Sequence, residues 1–91
     1  MDPDREIEKF AEEYRAYAIS ISLPDGGQIA DDMANALRGI QQHGNENADA
    51  IKLFDCILAV IRSKRPFKDR LHEYGEIMRL DLEAARKGRH G

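Results

Sequence analysis

The sequence predicts an all-α protein: a compact four-helix domain over residues 1–91 with a central, mostly apolar third helix. Three observations predict it. Apolar residues recur every three or four positions in four separate stretches. Turn-forming residues gather at Pro24-Asp25-Gly26-Gly27, at His43-Gly44-Asn45-Glu46-Asn47 and at Pro66, and so cut the chain between those stretches. A composition of 42% apolar and 34% charged residues in 91 positions suits one globular domain and not a disordered tail.

The first helix is expected over residues 3–21. Asp2 is placed to cap it, Pro3 suits a first helical position, and Asp4 meets the positive end of the helix dipole. Ile7, Phe10, Ala11, Tyr14, Tyr17, Ala18 and Ile21 form one stripe, with Glu6, Glu8, Lys9, Glu12, Glu13 and Arg15 outside it. The alternation Ile19-Ser20-Ile21-Ser22-Leu23 resembles a strand, but the longer helical pattern outweighs it.

The second helix is expected over residues 28–43, with Asp25 as a possible cap, Gly44 as a stop, and Ile29, Met33, Ala36, Leu37 and Ile40 as its apolar side. The third is expected over residues 47–62. Ile51, Leu53, Phe54, Cys56, Ile57, Leu58, Val60 and Ile61 leave only a narrow polar stripe of Lys52, Asp55 and Arg62, with Ala59 between them. Such a helix belongs at the centre or under a second chain. The pattern therefore predicts three covering neighbours and, because short helices cover poorly, a homodimer or another protein partner.

The fourth helix is expected over residues 66–87, with Phe67, Leu71, Tyr74, Met78, Leu82 and Ala85 on one side, Ile77 beside them, and Gly75 in mid-helix. Arg86, Lys87, Arg89 and His90 suit its C-terminal dipole end. Ser63-Lys64-Arg65 either closes a tight hairpin or sits inside one kinked helix. In the core, Ile51, Phe54, Ile57, Leu58 and Ile61 are expected against Phe10, Tyr14, Ile40, Leu71, Tyr74 and Met78.

Charge is divided unevenly. Residues 1–60 carry a net charge of −7 and residues 61–91 a net charge of +4, for −3 overall. An acidic total argues against a whole-surface nucleic-acid binder. The division has two readings. Oppositely charged helices can pack side by side with rim charges that add little stability. Alternatively, Arg62, Lys64, Arg65, Lys68 and Arg70 form a basic face that binds an acidic partner.

The residues that chemistry needs do not assemble into a motif. Cys56, in the most apolar helix, reads as an inert core thiol, and no Cys-x-x-Cys or His-x-x-x-His spacing is present. Gly26-Gly27 lacks the ending of a phosphate loop. The acids Glu8, Glu12, Glu13, Asp31, Asp32 and Asp55 resemble the metal-binding carboxylates of all-α nucleotide pyrophosphohydrolases of the MazG type, a family similar to this chain in size and helical content. The resemblance fails where those enzymes need magnesium ligands: Ala16 follows Glu12-Glu13, and Lys52 precedes Asp55. No cofactor and no metal is expected.

One cysteine, an acidic start without a signal-peptide pattern, and no apolar run near 20 residues point to the cytoplasm and away from a membrane. The expectation is a non-catalytic interaction module, such as a small inhibitor, immunity, adaptor or regulatory protein, docking a helical surface on a partner protein. The alternative is a small nucleic-acid-associated regulator using the basic C-terminal helix.

Overall fold

The computed structural model describes residues 2–88, and every regular element among them is a helix: α1 (Pro3–Ser20), α2 (Gly26–His43), α3 (Ala48–Arg62) and α4 (Phe67–Gly88). The all-α, four-helix architecture is as the periodicity predicts. Arg89 and His90, read above as dipole-end charges, lie outside the described residues.

The helix ends follow from local chemistry. The Asp2 carboxylate accepts from the Asp4 amide at 3.1 Å and starts α1. The helix stops at a Schellman turn. The Leu23 amide donates to the Ala18 carbonyl at 2.9 Å, the Ser22 amide donates to the Ile19 carbonyl at 3.1 Å, and Ser22 takes φ 56°. Glycine is the usual residue there, which is why residues 19–23 carried no clear stop signal. Asn47 caps α3 by accepting from the Asp49 amide at 2.9 Å.

Helix α2 departs from expectation in two ways. It starts at Gly26, two residues early, and Asp25 makes no side-chain cap bond. Its buried face is Ala30, Met33, Ala34 and Leu37, whereas Ala36 is exposed and Ile29 is 39% exposed. Small residues explain the second. A Cβ on Gly26 would stand 2.2 Å from the Ala18 Cβ, so α1 and α2 approach along Ala11, Ala18, Gly26, Ala30 and Ala34. The bulky Ile29 is turned to the edge of this close contact.

The 63–65 segment closes a hairpin. The Arg70 guanidinium donates back to the Ile61 carbonyl at 3.3 Å, and Asp81 shares a hollow with Asn47 and Asp49 at the start of α3. Helix α4 therefore runs antiparallel to α3. With 22 residues against 15, it spans roughly 33 Å against roughly 22 Å at 1.5 Å per residue, and its last turns pass the end of α3.

Helix α3 packs on all three others, and α1 and α2 form the most extensive pair. The core joins Ile7, Phe10 and Ala11 to Leu37, Phe54, Ile57, Leu58 and Ile61, with Tyr14, Ile40, Leu71, Tyr74 and Met78 packed around it. An aromatic cluster ties α1 to the start of α4: Phe67 lies 5.5 Å from Phe10, 6.4 Å from Tyr14 and 5.6 Å from Tyr17 between ring centroids.

Three expectations fail in α3 and α4. Ile51 is 48% exposed and Cys56 is exposed, so the open stripe of α3 is wider than Lys52, Asp55, Ala59 and Arg62. Cys56 is a surface thiol, not a core one. Leu82 is 55% exposed and Ala85 is exposed, because none of the described residues faces the α4 stripe beyond the end of α3. The open side of α3 mixes Asp49, Lys52, Asp55 and Arg62 with Ala48, Ile51, Cys56 and Ala59.

Candidate functional site

A cleft of about 420 Å³ opens where α1 meets the α3–α4 hairpin. Its apolar lining comes from Phe10 and Ile61, both buried. One side is the edge of α1, with Glu6, Lys9 and Glu13; the other is the hairpin, with Arg62, Ser63, Lys64, Arg65 and Arg70. Five cations stand against two carboxylates.

The structure thus gathers four of the five nominated basic residues, Arg62, Lys64, Arg65 and Arg70, on one concave surface. Lys68 is exposed on the first turn of α4 and does not line it. The sequence reading missed Glu6, Lys9 and Glu13. On a helical wheel Glu6 and Glu13 border the α1 stripe beside Phe10, four before it and three after it. That spacing was the available signal, but it does not say which helix faces that border.

The three arginines of the hairpin differ in how they are held. Arg70 is held most firmly. Its Nη1 donates to Glu13 Oε2 at 2.8 Å and its Nε to the Arg65 carbonyl at 2.9 Å, while its guanidinium lies 5.7 Å from the Phe67 ring centroid. Its side chain is only 12% exposed. Arg65 gives both Nη groups to Glu73. That hydrogen bond holds the Glu73 carboxyl below the usual glutamate range and raises Arg65 in return.

Arg62 is held least. Its Nε donates to Glu6 Oε2, and among the described residues its Nη groups have no hydrogen-bond acceptor. The partner is strained in its own way: Glu6 Oε1 is buried with no donor, alone among the described side-chain polar atoms in that respect. Lys9, Lys64 and Lys68 are exposed, and among the described residues none pairs with a carboxylate.

Most of the acids weighed as metal ligands are engaged elsewhere. Glu8 pairs with Arg38, and Glu12 and Asp31 share Arg15. Asp32 accepts from the Gln28 amide at 3.0 Å, and Glu13 is committed to Arg70. Among the described residues no group of three or more His, Cys, Asp or Glu side chains is placed to hold a metal ion. Nor, among them, is any helix long and apolar enough to cross a membrane. Comparison with protein-family models, with curated proteins and with solved structures gives no match for this chain.

Proposed function

We propose that the protein is a non-catalytic interaction module that docks a helical surface on a partner protein, as small inhibitors, immunity proteins, adaptors and regulators do. The observation that carries this reading is the cation-rimmed cleft, whose walls are helix edges and one hairpin. The surface carboxylates support it, because Glu6, Glu8, Glu12, Glu13 and Asp31 are tied to arginines. The reading places the chain in the cytoplasm, where the exposed Cys56 thiol stays reduced.

The test is capture from native lysate with mass spectrometry, followed by reconstitution and light scattering. The docking reading expects a complex of defined mass whose cross-links include the α1–hairpin cleft. A second copy of this chain as the occupant would show as a dimer of the pure protein at micromolar concentration. A chain that stays monomeric and retains nothing above background contradicts the reading.

The nucleic-acid alternative uses the same cations and has less support, because Glu6 and Glu13 stand among them and repel a continuous polyanion. It requires a gel shift that weakens steeply with salt and disappears when charge is removed at Lys64, Arg65, Lys68 and Arg70.

A further inference from the structure

We propose that the α1–hairpin cleft receives an acidic segment of the partner protein, and that Glu6 is a built-in competitor for the arginine that segment would engage. The proposal rests on the docking reading and names the chemistry of its occupant.

Charge complementarity points to an acidic occupant: Lys9, Arg62, Lys64, Arg65 and Arg70 outnumber Glu6 and Glu13 on the cleft walls. The cations are not equally available. Arg70 and Arg65 are consumed by Glu13, Glu73 and backbone carbonyls. Lys9 and Lys64 are exposed and carry uncompensated charge, so they attract the ligand from solvent. Arg62 keeps its Nη groups free of acceptors among the described residues and is 40% exposed, so it can take a carboxylate in a forked hydrogen bond.

Glu6 holds the Nε of Arg62 in the free protein, and holds it at a cost. Its side chain is 15% exposed, and Oε1 has lost water without gaining a donor. Swinging Glu6 into solvent hydrates that oxygen while a partner carboxylate replaces it on Arg62. The exchange keeps the ion pair and removes the orphaned atom. A continuous polyanion such as nucleic acid fits this cleft less well. Glu6 and Glu13 repel it, and the nearby aromatic Phe67 is turned onto Phe10, Tyr14 and Tyr17, away from any base that would stack.

The experiment titrates a fluorescent oligoglutamate peptide into the full chain at low salt, with anisotropy and amide-shift mapping as readouts. The expected result is salt-sensitive binding with shifts centred on Glu6, Lys9 and residues 62–65. Glu6→Gln should bind roughly threefold to tenfold more tightly, since the competitor has lost its charge. The Lys9→Glu, Lys64→Glu double variant should weaken binding by about tenfold or more. Lys52→Glu, on the exposed stripe of α3, should change nothing.

Unchanged or weaker binding by Glu6→Gln, with its helical content intact by circular dichroism, overturns the competitor role. Shifts mapped on the wild-type chain that fall outside the cleft overturn the site, whatever the variants do. A preference for an oligonucleotide of equal charge overturns the acidic-protein occupant. A partner complex that survives the double lysine variant overturns this proposal and leaves the docking reading standing; the absence of any complex with the wild-type chain overturns the docking reading itself.

Discussion

The two halves of α4 are written in one pattern and end in opposite environments. From Phe67 to Met78, the apolar stripe meets α1 and α3, Phe67 enters an aromatic cluster, and Arg70 is tied to Glu13 and to the Ile61 carbonyl. From Arg79 onward the same stripe continues through Leu82 and Ala85, yet every residue from Arg79 to Lys87 is exposed. Its ion pairs there, Arg79 with Glu76 and with Glu83, are local to the helix. Periodicity decides which side of a helix is apolar. The length of the neighbouring helix decides how much of that side is covered.

That contrast can be broken at its strongest point first. Truncating Phe67 to alanine should cost about 3 kcal/mol by chemical denaturation, whereas Leu82→Ala should stay within about 0.5 kcal/mol. Equal losses would mean that the end of α4 is packed in solution. Arg70→Ala is next. It leaves Glu13 without its donor and should cost about 1–3 kcal/mol in the same assay. If it is neutral, Arg70 is a free surface cation, and the nominated basic face is larger than the cleft geometry allows.

A smaller effect of opposite sign is expected on the outer face of the covered half. Gly75 is exposed, and a Cβ there meets nothing within 4 Å, so Gly75→Ala should stabilise by about 0.5–1 kcal/mol. The smallest effect concerns pH. Hydrogen bonds from Arg65 and Arg79 hold Glu73 and Glu76 below the usual carboxylate range. A lowered folded value contributes stability above the unfolded pKa and loses it as pH falls through the folded one. The stability difference between wild type and Glu73→Gln should therefore be greatest near neutrality and shrink below about pH 4. A difference that grows on acidification would contradict the pairing.

Much of this architecture was legible in the residues because helices declare themselves locally. The Asp2 and Asn47 caps, the α1 stripe from Ile7 to Ala18 and the Phe54–Ile61 core of α3 need no knowledge of the partner surface; Ile21, expected at the end of that stripe, lies past the helix and is 50% exposed. What was not legible depended on neighbours. Ile29 and Ala36 looked as apolar as Ala30 and Ala34; only the close approach of α1 at Gly26 selects the alanine face. Cys56 and Ile51 lie on the apolar side of a wheel whose cover stops short.

The basic residues from Arg62 to Arg70 were visible as a run. Their division into a buttress at Arg70, a paired Arg65 and an under-engaged Arg62 depends on which edge of α1 lies opposite. Glu6 and Glu13 take opposite roles there, although both sit beside Phe10 on the same helix border.

The central claim is that the corner formed by α1 and the α3–α4 hairpin is the fixed part of the molecule and presents the cleft in a preformed state. Native-state amide hydrogen exchange tests it most directly. Residues 70–78 of α4 and the core of α1 should exchange only through opening close to global unfolding, while residues 82–87 exchange through local fraying. Protection that runs undiminished to residue 87 in a monomer, or amides of α1 beside the cleft that exchange as fast as the α4 end, would contradict it.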